Sequence, residues 1–334
     1  MDEKEPLGLA ILGAGTIGTI HSLCVADVPG VQVRAVWSRT FSRAQELAAR
    51  VGGQAYESLE EALAAPDVDV AVICTPTFLH EPHTLAAINA GKHVICEKPL
   101  ARDLKSAETI IEASQKAGVQ LHVAHVVRFF PEFRRLHDLV QEGVVGQPAL
   151  VRMARVAPFP RGSGGWHNQL ELSGGVVLDM GIHDLDWLLW TLGPAERVYA
   201  RGLYSSPERP SYLDYGLITA RFANGAMAHV EASWAEVGDF RVFGEVSGDK
   251  GLLTYDSLNS TALSVELRQP PEAPGVQVPT SYTTKSPYAL QMEHFAACIR
   301  GEEDPLITPE EAFQALRLAL AALEAMESNQ PVAL

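Results

Sequence analysis

The sequence predicts a two-domain protein: an α/β unit with a parallel sheet, followed by a unit built mainly of antiparallel strands. Three observations carry this expectation. An apolar run ends in "GAGTIG", apolar runs then alternate with amphipathic helices as far as residue 127, and from about residue 145 the pattern changes to residue-by-residue alternation.

The elements follow in order. Leu7–Leu12 ("LGLAIL") reads as a short buried strand, after which Gly13, Gly15 and Gly18 have the G-x-G-x-x-G spacing that opens a helix. "VQVRAVW" (31–37) is predicted as a strand and "SRAQELAARVG" (42–52) as a helix stopped by glycine. The alternation continues with a strand at 69–76, a helix at 80–91, a strand at 93–99, a helix at 103–118 and a strand at 119–127. Helical crossovers between apolar strands imply a parallel sheet covered on both faces. In the second half, "ALVRMARV", "GLITARFA", "AMAHVEASW", "RVFGEVSG" and "ALSVELRQ" read as antiparallel strands. One strong helix is predicted at about 175–191, "PEEAFQALRLALAALEAMES" closes the chain, and "RQPPEAPGVQVPT" (268–280) is expected to be an exposed loop. The expected domains are 1–127 and 128–334.

A chain of 334 residues can bury a large core. Its formal net charge of −15 argues against a nucleic-acid or membrane-surface partner, because phosphates and anionic headgroups call for a basic patch. The opening "MDEKEP" is charged and mostly acidic, and neither a secretory leader nor a transmembrane run is evident, so a cytoplasmic location is expected. Cys24, Cys74, Cys96 and Cys298 lack C-x-x-C spacing; no structural zinc or disulfide is expected.

Three stretches carry chemistry. The glycines after the first strand fit a dinucleotide cradle: Gly13 for the tight turn, Gly15 for close approach of the pyrophosphate, Gly18 for packing of the helix on the sheet. Twenty residues past Gly18, where an acidic residue would bind the ribose 2′-hydroxyl of NAD, the chain has Ser38 and Arg39. A guanidinium there suits a 2′-phosphate, so NADP is expected to be preferred over NAD; the competing role for Arg39 is stacking on adenine from a solvated loop. At the end of the strand at 93–99 stands "CEKPL", which sets Lys98 beyond the carboxyl end of a strand, toward the nicotinamide end of a cofactor held by the first turn.

The third stretch is "SGGVVLDMGIHDLDWLLWTLG". Asp179 and His183 are four apart and Asp186 three further on, so all share one face of an α-helix. A carboxylate beside a histidine forms an acid/base unit. A buried structural network and a D-x-x-x-H metal site are the alternatives, the second without a third ligand at an established spacing.

The G-A-G-T-I-G turn, "TPTFLHEPHTLAAINAGKHVICEKPLA" and "GGVVLDMGIHDLDWLLWTLG", in that order, resemble the glucose-fructose oxidoreductase / inositol 2-dehydrogenase / rhizopine-catabolism (Gfo/Idh/MocA) family. "RFFPEFRRLHDLVQEGVVGQP" and the stretch from "PYALQMEHF" to the last helix extend the resemblance over nearly the whole chain. It implies a Rossmann domain followed by an α+β domain with an open, mostly antiparallel sheet whose exposed face mediates homodimers or homotetramers. It implies catalytic roles for Lys98, Asp179 and His183, no metal, and a cis Lys98–Pro99 peptide. Cofactor contacts are expected at Gly13, Gly15, Thr16, Ile17, Gly18, Ser38, Arg39, Thr75, Pro76, His80, Glu97 and Lys98. Many members have Asn two residues before the Arg of "RF", where this chain has Val126 preceded by His125. His125, Trp166, His167, the adjoining Asn168 and Tyr288 are the candidate substrate contacts.

The activity so implied is NAD(P)-dependent oxidation of a secondary alcohol of a sugar, cyclitol or related polyol, or reduction of the ketone. His183 would take the hydroxyl proton and Lys98 would hold the reacting oxygen. A glycosidase that retains NAD and a non-catalytic NADP-binding regulator are the rival readings.

Overall fold

The computed structural model describes residues 5–160, 163–203, 214–236, 240–259, 263–267, 276–278 and 285–334. Contacts divide the chain into two units, Met1–Phe129 with Thr284–Phe313 and Phe130–Thr283 with Gln314–Leu334.

The first unit carries a parallel sheet of β1 (Leu7–Leu12), β2 (Val31–Trp37), β3 (Gln54–Tyr56), β4 (Val70–Ile73), β5 (His93–Glu97) and β6 (Leu121–Ala124). The spatial order is β3-β2-β1-β4-β5-β6. Chain order therefore reverses between β1 and β4, where open α/β sheets leave a crevice at the carboxyl ends of the strands. Val70–Ile73 and Leu121–Ala124 are buried at every residue, as expected of strands covered on both faces. The crossover helices start and stop where their sequences dictate. Asp103 accepts the Ser106 N–H at the start of the helix Leu104–Ala117, and Gly118 ends it with φ 69°, a left-handed conformation that glycine adopts without steric penalty.

The division differs from a single cut at residue 127, because a late segment returns to the first unit. The helix Pro287–Ile299 begins at Ser286, whose hydroxyl accepts the Tyr288 N–H. Its Ala289, Met292, Phe295 and Ala296 belong to the same apolar cluster as Leu9, Ile11, Val70 and Val72. Burying three or four such side chains is worth several kcal/mol, more than any local signal in the linker before them.

Among the described residues, nine strands form the sheet of the second unit: β7 (Pro148–Val156), β8 (Ala195–Leu203), β9 (Tyr215–Phe222), β10 (Met227–Ser233), β11 (Arg241–Gly248), β12 (Gly251–Asp256), β13 (Leu263–Leu267), β14 (Val276–Val278) and β15 (Val332–Ala333). The order is β14-β13-β12-β11-β7-β10-β9-β8-β15, and every pairing is antiparallel except β7 with β10. This is an open, mostly antiparallel sheet. Strands such as β9 and β10 alternate buried and less buried residues, placing Ile218, Ala220, Ala228 and Val230 on the core face. β14 lies within the stretch expected to be loop, where Val276–Val278 pair with β13; residues 268–275, 279 and 280 lie outside those described.

The strong helix of the sequence is composite. Val177–Gly181 form a wide π-type turn, followed by the α-helix Ile182–Leu192. Two glycines leave room for it. A Cβ on Gly216 of β9 would lie 2.7 Å from Val177 Cγ2, and one on Gly174, which has φ +73°, would lie 2.6 Å from Leu178 Cβ. No described helix is long and apolar enough to cross a membrane. The four cysteines are buried and free.

Candidate active site

The glycine turn sits directly after β1, at the switch point. Gly13 has φ +118°, open only to glycine at little cost, and its N–H donates to the Trp37 carbonyl at 2.8 Å, fixing the turn against β2. A Cβ on Gly18 would lie 1.8 Å from the Gly13 carbonyl oxygen, so only glycine lets the helix Thr16–Cys24 start this close to the strand. A Cβ on Gly15 meets nothing within 4 Å: space is open above it. No side chain caps the helix, whose N-cap is Gly15 itself, and Gly15 and Thr16 are exposed. Bare helix-start N–H groups beneath open space are what a pyrophosphate requires, so these residues fit a bound dinucleotide. Two of the glycines predict separable defects. Gly15→Ala is expected to leave the thermal midpoint unchanged while weakening NADH binding at least tenfold, because the new methyl occupies the phosphate's space. Gly18→Ala is expected to lower the midpoint as well, because the clash is with the protein's own backbone. Fluorescence titration with NADH and a thermal melt read both; equal melting losses in the two variants would contradict this assignment.

Ser38 and Arg39 follow β2, Ser38 half-buried and Arg39 exposed. Thr75 and Pro76 follow β4, both half-buried. Lys98 follows β5, half-buried, and the Lys98–Pro99 peptide is cis. The structure thus gathers the glycines, Thr75, Pro76 and Lys98 at the carboxyl ends of β1, β4 and β5, neighbours in the sheet.

Two residues expected to contact cofactor are buried in the protein's own bonding. His80 is 1 % exposed, with Nδ1 2.7 Å from the Pro99 carbonyl oxygen and Nε2 2.9 Å from that of Thr75. Its pKa lies below the ordinary histidine value because burial outweighs these acceptors and the nearby Glu97, so the neutral ring donates to one carbonyl at a time. Glu97 is 7 % exposed and paired with His21, Nε2 to Oε1 2.7 Å. Burial pushes the Glu97 carboxyl up, but the hydrogen bond and charge of His21, with Lys98 and His80, outweigh it and hold the pKa below the usual value. His21 stands inside the fingerprint helix, yet the motif's spacing gives it no role. His125, directly after β6, is fully buried, and Tyr288 is half-buried with its ring edge-on to His21 at 5.6 Å.

In the second unit, Asp179 lies in the wide turn and His183 in the first turn of the following α-helix, both half-buried. An i→i+5 turn takes more residues per revolution than an α-turn, so side chains four apart come closer to lying one above the other. Asp186, expected on the same face, is fully buried. Asp184, beside His183, is also fully buried and receives a bidentate pair from Arg155 of β7, Nε to Oδ2 3.2 Å and Nη2 to Oδ1 2.8 Å. This pair anchors the helix to the sheet at the residue next to His183. The rings of Trp166 and His167 are tilted by 31° with centroids 3.9 Å apart, and His167 lies edge-on to Trp234 at 6.0 Å. Trp234, just past β10, has no local signal of function; only the fold adds it to the aromatic group. Asn168 is exposed. Among the described residues no group of three or more His, Cys, Asp and Glu is arranged to hold a metal ion.

Residues 7–125 match the model of the Gfo/Idh/MocA oxidoreductase family with an NAD-binding Rossmann fold, and residues 133–254 match that family's C-terminal domain. The chain belongs to the Gfo/Idh/MocA oxidoreductase family. This oxidoreductase is 31 % identical to 1,5-anhydro-D-fructose reductase of Ensifer adhaerens, with 96 % of each chain covered. It is 28 % identical to myo-inositol 2-dehydrogenase of Thermotoga maritima, with 98 % of each covered. Among solved structures, GenD2 from gentamicin A biosynthesis, in complex with NAD, superposes with a TM-score of 0.89 at 26 % identity, covering 100 % of this chain and 98 % of its own. The family and the Rossmann sheet make this chain an NAD(P)-dependent oxidoreductase acting on CH–OH groups.

Proposed function

We propose that this oxidoreductase moves hydride between a nicotinamide cofactor and a secondary alcohol, or its ketone, on a sugar, cyclitol or related polyol. The observation that carries the reading is the placement of Lys98 at the carboxyl end of β5, two strands from the glycine turn after β1. A cofactor held by that turn supplies the hydride acceptor or donor. His183 takes the proton of the reacting hydroxyl, since a neutral imidazole accepts a proton near neutral pH. Lys98 holds the same oxygen and stabilises the negative charge that grows on it as the proton leaves. Asp179 orients His183. Trp166 and His167, half-buried, offer ring faces to the C–H surface of a sugar ring or cyclitol, and the buried Trp234 backs them. The named relatives are a dehydrogenase and a reductase, which favours net hydride transfer over a retained-cofactor glycosidase or a regulator. Screening polyols and sugars against NAD and NADP by nicotinamide absorbance tests the reading; hydrolysis with no net change in cofactor would replace it with the glycosidase.

Ser38 and Arg39 in place of an acidic residue support a preference for NADP. Arg39→Ala is expected to weaken NADP by about 1.5–3 kcal/mol, the scale of a charge-assisted hydrogen bond, and to leave NAD nearly unchanged. Equal losses for both cofactors would reduce Arg39 to stacking on adenine. A homo-oligomer built on the sheet of the second unit is supported by Tyr199, Leu203, Leu217 and Met227, large apolar residues exposed on one face of β8, β9 and β10.

A further inference from the structure

We propose that His21 is a positioning residue for Lys98, acting through Glu97, and that His80 ties the other side of the same turn. The inference rests on the reading that Lys98 acts in catalysis. His21 lies on the helix Thr16–Cys24, one turn past Gly18, and its side chain is 1 % exposed. Its Nε2 stands 2.7 Å from Glu97 Oε1, and the Lys98 N–H donates to Glu97 Oε2 at 3.1 Å. Each carboxylate oxygen is thus engaged by a different donor, which fixes the plane of the carboxylate and with it the backbone of Lys98.

Only the tautomer with the proton on Nε2 can donate to Glu97, and a buried carboxylate without that donor would be left partly unsatisfied and would take up a proton. The ring of Tyr288 packs edge-on against that of His21, with centroids 5.6 Å apart. On the far side of Lys98, His80 reaches the Pro99 carbonyl at 2.7 Å, and its second nitrogen lies 2.9 Å from the Thr75 carbonyl at the end of β4. The backbone around Lys98 is therefore held at the residue before it, at its own N–H and at the residue after it. The helix that opens the phosphate cradle with its first turn holds the lysine's neighbour with its second. A change at the cradle and the aim of Lys98 are thereby linked through a single rigid element.

The test uses the full-length protein and three variants. His21→Leu removes the donor, His21→Gln supplies an amide N–H in its place, and Lys98→Met removes the lysine's charge. For His21→Leu, kcat on the best polyol of the screen is expected to fall roughly ten- to hundredfold, as for a slightly misplaced catalytic group, with NADH binding within about twofold of the parent. Infrared spectroscopy at neutral pH is expected to show a new carbonyl band from a protonated buried carboxyl in His21→Leu. That band should be absent from the parent and from His21→Gln, and lost again in His21→Leu/Glu97→Gln. His21→Gln should recover kcat to within about threefold of the parent. In a Lys98→Met background, His21→Leu should cost no further kcat. Parent-like kcat and no new band in His21→Leu, or a His21→Gln as poor as His21→Leu, would overturn the proposal. If Lys98→Met itself keeps full kcat, it is the catalytic reading of Lys98 that fails; if Lys98→Met is crippled and His21→Leu is not, only the positioning role falls. Should His21→Leu not fold, Glu97→Ala carries the same test: it removes the carboxylate that both donors meet, so it should lower kcat with NADH binding intact, and unchanged kcat would refute the link.

Discussion

His183→Ala is expected to lower kcat on the order of 10²–10⁴-fold, the range for loss of a general base, while NADH binds with nearly its original affinity. The expectation follows from where His183 stands. It is half-buried in the second unit at the junction of a wide turn with an α-helix, four residues after Asp179, and the glycine cradle belongs to the first unit. A group that handles the substrate's proton should be silent in cofactor binding and loud in turnover. Lys98→Met should also depress kcat, and if both groups act on one proton-transfer step, as proposed, the double variant should lose less than the product of the single effects. Steady-state kinetics with fluorescence titration of NADH measure all of this. Near-normal turnover in His183→Ala would move the base elsewhere, with His125 or Tyr288 next to be tested.

The second large effect is on stability. Arg155→Leu leaves the Asp184 carboxylate buried without its guanidinium, and removing one partner of a buried pair costs about 3–5 kcal/mol. Four of the five tryptophans, Trp166, Trp187, Trp190 and Trp234, lie in the second unit, so urea unfolding followed by tryptophan fluorescence reports mainly on it. The pH dependence has a definite sign. Burial raises the pKa of Asp184 and Arg155 offsets this only in part, so the folded value lies above the unfolded one. A carboxyl of this kind favours the folded state below its unfolded pKa, and that contribution is lost as pH rises through the folded pKa. Removing Arg155 takes away the influence that lowers the pKa and lifts it further. The deficit of Arg155→Leu relative to the parent should therefore be largest near neutral pH and shrink as acid protonates Asp184. Arg155→Leu/Asp184→Leu should regain much of the lost stability, because no buried charge then remains. A midpoint unchanged at neutral pH, or a deficit that grows in acid, would contradict the account.

Features set by residues close together in the chain are written in the amino-acid sequence. The period of apolar residues marks β1, β2, β4, β5 and β6 and their crossover helices, with ends shifted by a few residues, because burial on both faces leaves its imprint in each short stretch. β3 was too short and too exposed to leave one: its three residues, Gln54–Tyr56, contain no buried position. The glycine cradle was legible because positive φ and close approach admit only glycine, and Lys98 because the end of a parallel strand is where such sheets place ligands.

Tertiary structure alone decided what depends on residues far apart. The return of Pro287–Ile299 to the first core, the burial of His80 by carbonyls of Thr75 and Pro99, and the pairing of His21 with Glu97 across 76 residues have no local period or spacing to announce them. The wide turn at Val177–Gly181 is of the same kind. Its sequence reads as ordinary helix, and the room for it is made by Gly216 on another element. Local propensity specifies what a segment prefers to be; which polar groups are buried, and which partner then satisfies each of them, is fixed only when distant segments meet.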